Sequence, residues 1–201
     1  MLEQKPVPYP RGSMGLMLRL PVQLYKIGLG DPLNLLRIMV ITTRGRKSGQ
    51  PRHTALEYRR HGSKIYVVSA WSSDAQWYKN LLDYPYATMR MGRKRVRVTA
   101  TTVNDSGEAL RVLNLFHRTA PFIFDPVVAS TAQSQPITPL NIPDIAHRIT
   151  IVRFDPTHEA QDLPYLEASY GWALAAGTIV ALSAVVILLA VSLSRATKQP
   201  R

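Results

Sequence analysis

Residues 37–54 read RIMVITTRGRKSGQPRHT, from Arg37 to Thr54. The apolar, β-branched run from Leu35 to Thr43 predicts a buried strand, and the residues after Pro51 predict a returning strand. Gly45 and Gly49 lie between the two runs and can adopt positive φ angles, so a tight turn can join them. The pattern therefore predicts an antiparallel hairpin, around which the rest of the chain is arranged.

The predicted turn is strongly basic. Its charged and hydroxyl side chains are those of Arg44, Arg46, Lys47, Ser48 and Arg52. Backbone N–H groups of a glycine turn, flanked by cations, form a cradle for phosphate or carboxylate because charge-assisted donors converge there. A solvated hairpin tip is the alternative interpretation if charge alone is considered.

Three spaced motifs link the chain to a known family. The string TTRGRKSGQPR, residues 42–52, resembles the signature of the deazaflavin-dependent nitroreductase family of flavin/deazaflavin oxidoreductases. Ser69 and the string WYKNL, residues 77–81, are similar to its second motif, and residues 21–30 are similar to its lead-in helix. The match covers roughly residues 21–154, and several motifs in one order are more specific than a single glycine turn.

The resemblance implies a split β-barrel that binds a reduced 8-hydroxy-5-deazaflavin (coenzyme F-420), with FMN as the alternative cofactor. It implies hydride transfer to an acceptor, for which a quinone-like and a nitro-aromatic compound are the two candidates. The implied cofactor-binding residues are Arg44, Arg46, Lys47, Ser48, Gly49, Arg52, Trp77 and Asn80. Ser69 is the candidate hydrogen-bond donor to the deazaflavin ring, and His117 is the candidate proton donor; a plain strand serine and a structural histidine are the alternatives.

The acceptor is predicted from residues 115–124. Family members that reduce nitroimidazoles carry tyrosines in this region, whereas here it reads LFHRTAPFIF and has none. The apolar Leu115, Phe116, Phe122, Ile123 and Phe124 instead predict a pocket for an apolar acceptor such as a lipid-soluble quinone. Two other classes stay open: a non-catalytic flavin or haem carrier of the same fold, and a basic adaptor on a membrane surface.

Composition restricts the partners. The 201 residues contain no cysteine, which excludes disulfides and thiolate metal sites. The net charge is +12, and the part before Trp172 carries 22 basic and 13 acidic residues, or +9, so it should attract anions. Nucleic acid is not predicted, because basic residues are not interleaved with stacking aromatics. No metal site is predicted, since the five histidines lack ligand spacing.

The chain as a whole predicts a mainly β (α+β) domain of about six antiparallel strands with peripheral helices. Predicted strands are 35–43, 53–60, 64–69, 86–91, 94–101 and 148–154. Predicted helices begin at Ser13, at Ser73 or Asp74, and at the capping box formed by Asp105 and Glu108. The first helix is expected to cover one barrel end through Leu18, Val22 and Tyr25, or else to lie on a membrane surface. Residues 1–12 should be a disordered arm, residues 13–157 the domain, and residues 121–144 a long loop.

The C-terminal part has a different composition. Residues 172–193 contain no charge over 22 positions, which is long enough for a helix to cross a bilayer. We predict a single-pass membrane protein of the cell membrane that contacts lipid, with a linker at 158–171 and a basic tail at 194–201. The cations of the tail, set against the acidic residues before the stretch, favour a cytoplasmic C-terminus. The intracellular supply of reduced deazaflavin favours a cytoplasmic domain instead, and a cytoplasmic domain is the prediction. Ala173, Gly177 and Ala181 form a small-residue row that could pair two copies as a homodimer.

Overall fold

A computed structural model describes residues 13–69, 72–119, 149–159 and 162–169, and those through Leu166 belong to one compact unit. Seven strands make up its sheet: β1 Ile38–Arg44, β2 Pro51–Glu57, β3 Arg59–His61, β4 Lys64–Ser69, β5 Tyr86–Met91, β6 Lys94–Thr102 and β7 Thr150–Pro156. Four α-helices accompany it: α1 Ser13–Lys26, α2 Gly30–Leu35, α3 Gln76–Asp83 and α4 Ser106–Thr119. The predicted α+β class is confirmed.

The strands form one antiparallel sheet in the order β2-β1-β5-β6-β7-β4-β3. The predicted opening hairpin is present, with Ile38 opposite Glu57 and Arg44 opposite Pro51. Its first strand begins at Ile38 rather than at Leu35, because Leu35 is the last residue of α2. Arg37 then turns the chain with a φ of 55°. The predicted closing strand, β7, does not lie at an edge but pairs with both β6 and β4.

The prediction of one strand over residues 53–60 is wrong, and this explains the seventh strand. The strand is interrupted at Tyr58, whose amide donates to the Arg37 carbonyl at 2.9 Å. The residues before it form β2 at one edge of the sheet, and those after it form β3 at the other edge. Because one residue joins the two edges, the sheet must curl until they approach each other, as in a split barrel.

The curled sheet is apolar on both faces. Met39 and Ile41 of β1 point into the inner cluster with Val67 and Phe154, whereas Val40 packs under α1 and α2. On β4, Tyr66 faces outward into the cluster beneath α4. Side chains alternate across a strand, so burial of both faces requires a continuous apolar run. This accounts for the composition of β1.

The helices follow their local signals only in part. Asp105 caps α4, since its carboxylate accepts the Glu108 amide at 2.6 Å, but the Glu108 carboxylate binds Tyr66 and Arg153 instead of closing the box. The predicted cap of α3 is wrong: α3 begins at Gln76 without a side-chain cap, and Asp74 pairs with Lys79 at 2.8 Å. On α1, Val22 and Tyr25 are buried as predicted, but Leu18 is exposed.

Part of the predicted linker packs against the domain. The Thr88 hydroxyl donates to the Pro164 carbonyl at 2.8 Å, and Arg90 donates to the Leu166 carbonyl at 2.9 Å. Leu163 and Leu166 are buried. Residues 162–166 therefore form a strap on the sheet.

Among the described residues, no helix has the length and apolar character needed to span a bilayer. The predicted span at 172–193 lies outside the described residues. So do the arm at 1–12, the loop at 121–144 and the tail at 194–201.

Arg59, the first residue of β3, is 1% exposed. Its guanidinium pairs with the Glu57 carboxylate, donates to the Thr119 hydroxyl and to the Tyr58 carbonyl, and lies 4.8 Å from the centre of the Phe116 ring. Burial raises the pKa of Glu57, and the neighbouring Arg59 opposes that rise. One buried cation thus ties the bend at Tyr58 to the end of α4.

We expect Arg59→Ala to lower the free energy of unfolding by about 3–5 kcal/mol, because it leaves the half-buried Glu57 without its partner. The combined change Arg59→Met and Glu57→Gln should recover most of this loss, since no uncompensated charge remains. Arg60→Ala, at the exposed neighbouring position, is the matched control. Urea unfolding measures all three, and an equal loss for Arg59→Ala and Arg60→Ala would contradict the assignment.

Candidate functional site

The turn between β1 and β2 is held by its own backbone. The Gly45 amide donates to the Gln50 carbonyl at 2.9 Å, and the Ser48 and Gly49 amides both donate to the Gly45 carbonyl, at 3.1 and 2.7 Å. Gly49 has a φ of 67°, which favours glycine. A β-carbon at Gly45 would lie 3.0 Å from the Ser48 hydroxyl oxygen. The turn therefore favours glycine at both positions, at Gly49 for its backbone angle and at Gly45 for space.

Helix α3 fixes this turn through one amide side chain. The Asn80 Oδ1 accepts both the Arg46 backbone amide and the Arg46 Nη1, each at 3.3 Å. The Asn80 Nδ2 donates to the Thr43 hydroxyl at 3.1 Å, and Arg46 Nη2 donates to Gln76 Oε1 at 2.9 Å. Asn80 is 5% exposed. The two sequence blocks, 34 residues apart at this contact, thus meet in one hydrogen-bonded unit.

A cavity of about 360 Å³ opens between the turn, β2 and α3. It is lined by Gly45, Arg46, Lys47, Ser48, Arg52, His53, Thr54, Gln76, Trp77 and Asn80. Three of these side chains are cations and none is acidic, so the cavity attracts anions. Arg52 reaches the Ser48 hydroxyl at 3.4 Å. Within the described ranges Lys47 has no ionic or hydrogen-bonding partner, so its ammonium is available to a ligand.

The structure brings most of the predicted binding residues together. Arg46, Lys47, Ser48, Arg52, Trp77 and Asn80 line the cavity. The other two predicted binding residues act differently: Gly49 shapes the turn, and the Arg44 guanidinium lies 5.4 Å from the centre of the Tyr84 ring.

Neither predicted catalytic residue lines the cavity. Ser69 is the last residue of β4, is 1% exposed and lies opposite Thr150 of β7. His117 is in the last turn of α4, which packs on the outer face of the sheet with Tyr66 and Ile151. The catalytic prediction for both residues therefore gains no support from the cavity's geometry.

The residues predicted to line an acceptor pocket are only partly available for that role. Phe116 is 1% exposed and belongs to the core beneath α4, with the Arg59 guanidinium against its ring. It cannot line an open pocket, so this part of the prediction is wrong. Leu115 is half-buried, and residues 122–124 lie outside the described residues.

Four lining residues were not predicted: Gly45, His53, Thr54 and Gln76. Gln76 lies one helical turn before Asn80, so the helical spacing of α3 could have indicated it. His53 lies opposite Thr42 in the hairpin, and its Nδ1 is 2.9 Å from the Thr42 hydroxyl. Burial and, secondarily, the charge of Lys26 lower the pKa of His53. The imidazole is therefore a neutral wall of the cavity at physiological pH.

Comparisons with known proteins identify a family for the chain. A family model described as F420H(2)-dependent quinone reductase matches residues 18–133, which include both blocks of the cavity. Curated F420H(2)-dependent quinone reductases from two strains of Mycobacterium tuberculosis, H37Rv and CDC 1551, are each 37% identical over 68 residues, or 32% of this chain. The match spans 46% of those relatives, so this chain covers about half the length of the curated relatives it matches.

Solved structures match this chain at lower sequence identity. An F420-H2 dependent reductase gives a TM-score of 0.45 at 20% identity over 59% of this chain and 94% of that chain. The haem storage protein HutZ from Vibrio cholerae gives a TM-score of 0.45 at 15% identity, over 64% and 87% of the two chains.

His53 predicts a pH dependence of stability. Because its pKa is lowered in the folded state, the unfolded chain binds more protons below about pH 6.5, the ordinary histidine pKa. The free energy of unfolding should therefore be retained above that pH and fall as the solution is acidified below it. His53→Asn should reduce this loss, whereas His61→Asn, which removes an exposed histidine from β3, is the control. If the free energy of unfolding, measured in urea, has the same pH dependence for wild type and His53→Asn between about pH 5 and 7.5, the prediction is contradicted.

Proposed function

This chain belongs to the F420H(2)-dependent quinone reductase family, and from that premise we propose that it is a deazaflavin-dependent oxidoreductase. It transfers a hydride from a reduced 8-hydroxy-5-deazaflavin, coenzyme F-420, to a quinone-like acceptor. A nitro-aromatic compound is the second acceptor class. The observation that carries the proposal is the cavity built by the two spaced sequence blocks, whose ionic groups are all cations.

The residues present fit the anionic part of such a cofactor. Lys47 and Arg52 supply charged donors, and the Ser48 hydroxyl lies between the turn and Arg52. The side chain of Trp77 provides an apolar wall. When bound, the cofactor supplies the hydride, so the chain has to bind it, orient it and exclude water.

The two cations at the tip of the turn have different roles. Arg46 already donates to Asn80 and Gln76, so its guanidinium holds the turn in place and presents the remaining donors in a fixed arrangement. Lys47 is exposed and makes no ion pair within the described part of the chain. Its charge is therefore available for ligand binding, because no ion pair of the described chain uses it.

We expect Lys47→Ala to weaken binding of reduced coenzyme F-420 about tenfold, the equivalent of one charge-assisted hydrogen bond of about 1.4 kcal/mol. The free energy of unfolding should change by less than about 0.5 kcal/mol, because exposed cations contribute little to stability. Lys94→Ala removes an exposed cation outside the cavity and is the matched control. If the two variants bind reduced coenzyme F-420 with equal affinity in a fluorescence titration, Lys47 is a solvated turn residue and not a cofactor ligand.

We also propose that the enzyme is held in the cell membrane by residues 172–193, with the barrel domain in the cytoplasm. The support is in the sequence: 22 uncharged residues lie between Tyr170 and the basic tail, and as a helix they would extend about 33 Å, which matches the hydrocarbon core. A cytoplasmic domain has access to reduced deazaflavin.

The anchor and the family together favour a quinone dissolved in the bilayer as the acceptor. Reduction of a quinone to a quinol takes up one hydride and one proton. A tethered active site meets membrane-dissolved quinone at a raised effective concentration. The anchor would then contribute to turnover and would not act only as a localisation signal.

The assay compares the full chain in liposomes with a truncation after Tyr170, using reduced coenzyme F-420 and either menaquinone or a water-soluble short-chain quinone. We expect the full chain to reduce menaquinone faster than the truncation, while both reduce the soluble quinone at similar rates. The membrane fraction should retain the full chain after an alkaline carbonate wash. Equal menaquinone rates for the two proteins, or no reduction of either quinone, would overturn the assignment of the acceptor.

A further inference from the structure

Exposed aliphatic side chains are concentrated in and beside α1 and α2. Seven large apolar residues of the described chain are exposed, and six of them lie within residues 18–36. These six are Leu18, Leu20, Ile27, Leu29, Leu35 and Leu36. Leu35 is 85% exposed and Leu36 58%. Single exposed leucines are ordinary on a protein surface, but six large apolar residues exposed within 19 consecutive positions make this segment a candidate interaction site.

Exposed cations border these aliphatic residues. Arg19, Lys26 and Arg37 belong to the same segment, and the turn between β5 and β6 adds Arg93 and Lys94. This turn lies beside α2, because Arg93 pairs with Asp31 at 2.8 Å. The contact is close: a β-carbon at Gly92 would lie 2.6 Å from the Asp31 carboxylate oxygen. We call α1, α2 and the β5–β6 turn the apolar-basic corner.

The strap ends at the same corner. Arg90 donates through Nη1 to the Leu166 carbonyl at 2.9 Å and through Nε to the Gly92 carbonyl at 3.1 Å, so one buried guanidinium joins the strap to the β5–β6 turn. The Leu166 side chain packs with Val22 and Leu33 beneath α1 and α2. The uncharged stretch begins six positions later, at Trp172. Six residues reach at most about 20 Å.

We infer that the apolar-basic corner is a membrane-docking surface, which lies on an anionic bilayer with Leu35 and Leu36 in the headgroup region and its cations beside lipid phosphates. The inference rests on the proposed anchor for proximity to a membrane. A second copy of this chain is the competing occupant. It is disfavoured because a symmetric dimer through this corner would bring like-charged arginines and lysines together.

The test uses the absence of native cysteine. A nitroxide label is placed on the full chain at Leu35→Cys or, as the matched control, at Leu82→Cys, the one exposed large apolar residue of the described chain outside the corner. Both proteins are reconstituted into vesicles of phosphatidylcholine with or without phosphatidylglycerol. Collision of each label with oxygen and with a water-soluble nickel complex is measured by electron paramagnetic resonance.

In anionic vesicles we expect the Leu35 label to collide several-fold less with the nickel complex, and more with oxygen, than the Leu82 label. The contrast should shrink in neutral vesicles and for the double variant Lys26→Glu and Lys94→Glu. Equal accessibility of the two labels in anionic vesicles would overturn the inference. Protection of the Leu35 label in detergent, with dipolar broadening between labels, would assign the corner to a second copy instead.

Flotation of the vesicles separates failure of the anchor from failure of the docking surface. A chain that survives a carbonate wash is anchored, and the label accessibilities then decide the docking. A chain that floats at low salt but is removed by carbonate overturns the anchor, and the label accessibilities again decide the docking. A chain that does not float at all overturns both.

Discussion

The fold depends on one constraint at Tyr58. The chain passes from one edge of a seven-stranded sheet to the other across this single residue, so the sheet has to be curled before both β2 and β3 can pair. The bend then places Arg59 in the interior, where its charge is balanced by Glu57 and its hydrogen bonds reach α4. A local change of direction thereby determines the closure of the barrel, the position of one helix and a buried ion pair.

The candidate site depends in a similar way on Asn80. A long basic turn at the end of a hairpin would ordinarily sample many conformations, and ordering it would reduce the affinity for any ligand. Here the Asn80 amide binds the backbone and the side chain of Arg46 and also the hydroxyl of Thr43. The turn therefore loses its conformational entropy during folding, before any ligand binds. The donors that remain, above all Lys47, can then contribute to binding with little further loss of entropy.

Local signals in the sequence predicted the parts of this structure that are local. Turn glycines and alternating strands predicted both main hairpins, and Asp105 predicted the start of α4. The two spaced motifs predicted six of the ten residues that line the cavity. The break at Tyr58, the burial of Arg59 and the central place of β7 depend on pairings between distant strands, which no local pattern encodes. His53 was missed although the hairpin that places it opposite Thr42 was predicted, because its place in the cavity depends on how α3 packs beside that hairpin.

The length of β1 separates the apolar-basic corner from the tip of the basic turn. Its seven residues run from the Arg37 side of the apolar-basic corner to the basic turn, a distance of about 20 Å at ~3.3 Å per residue. The Debye length at physiological ionic strength is about 8 Å. The negative potential of an anionic lipid surface beneath the corner is therefore screened by salt at the exposed tip of the turn, whereas His53 lies within reach of the charge of Lys26 in the corner. An anionic cofactor would then place its charged end at the tip of the turn, at the end of β1 away from the surface on which the domain rests.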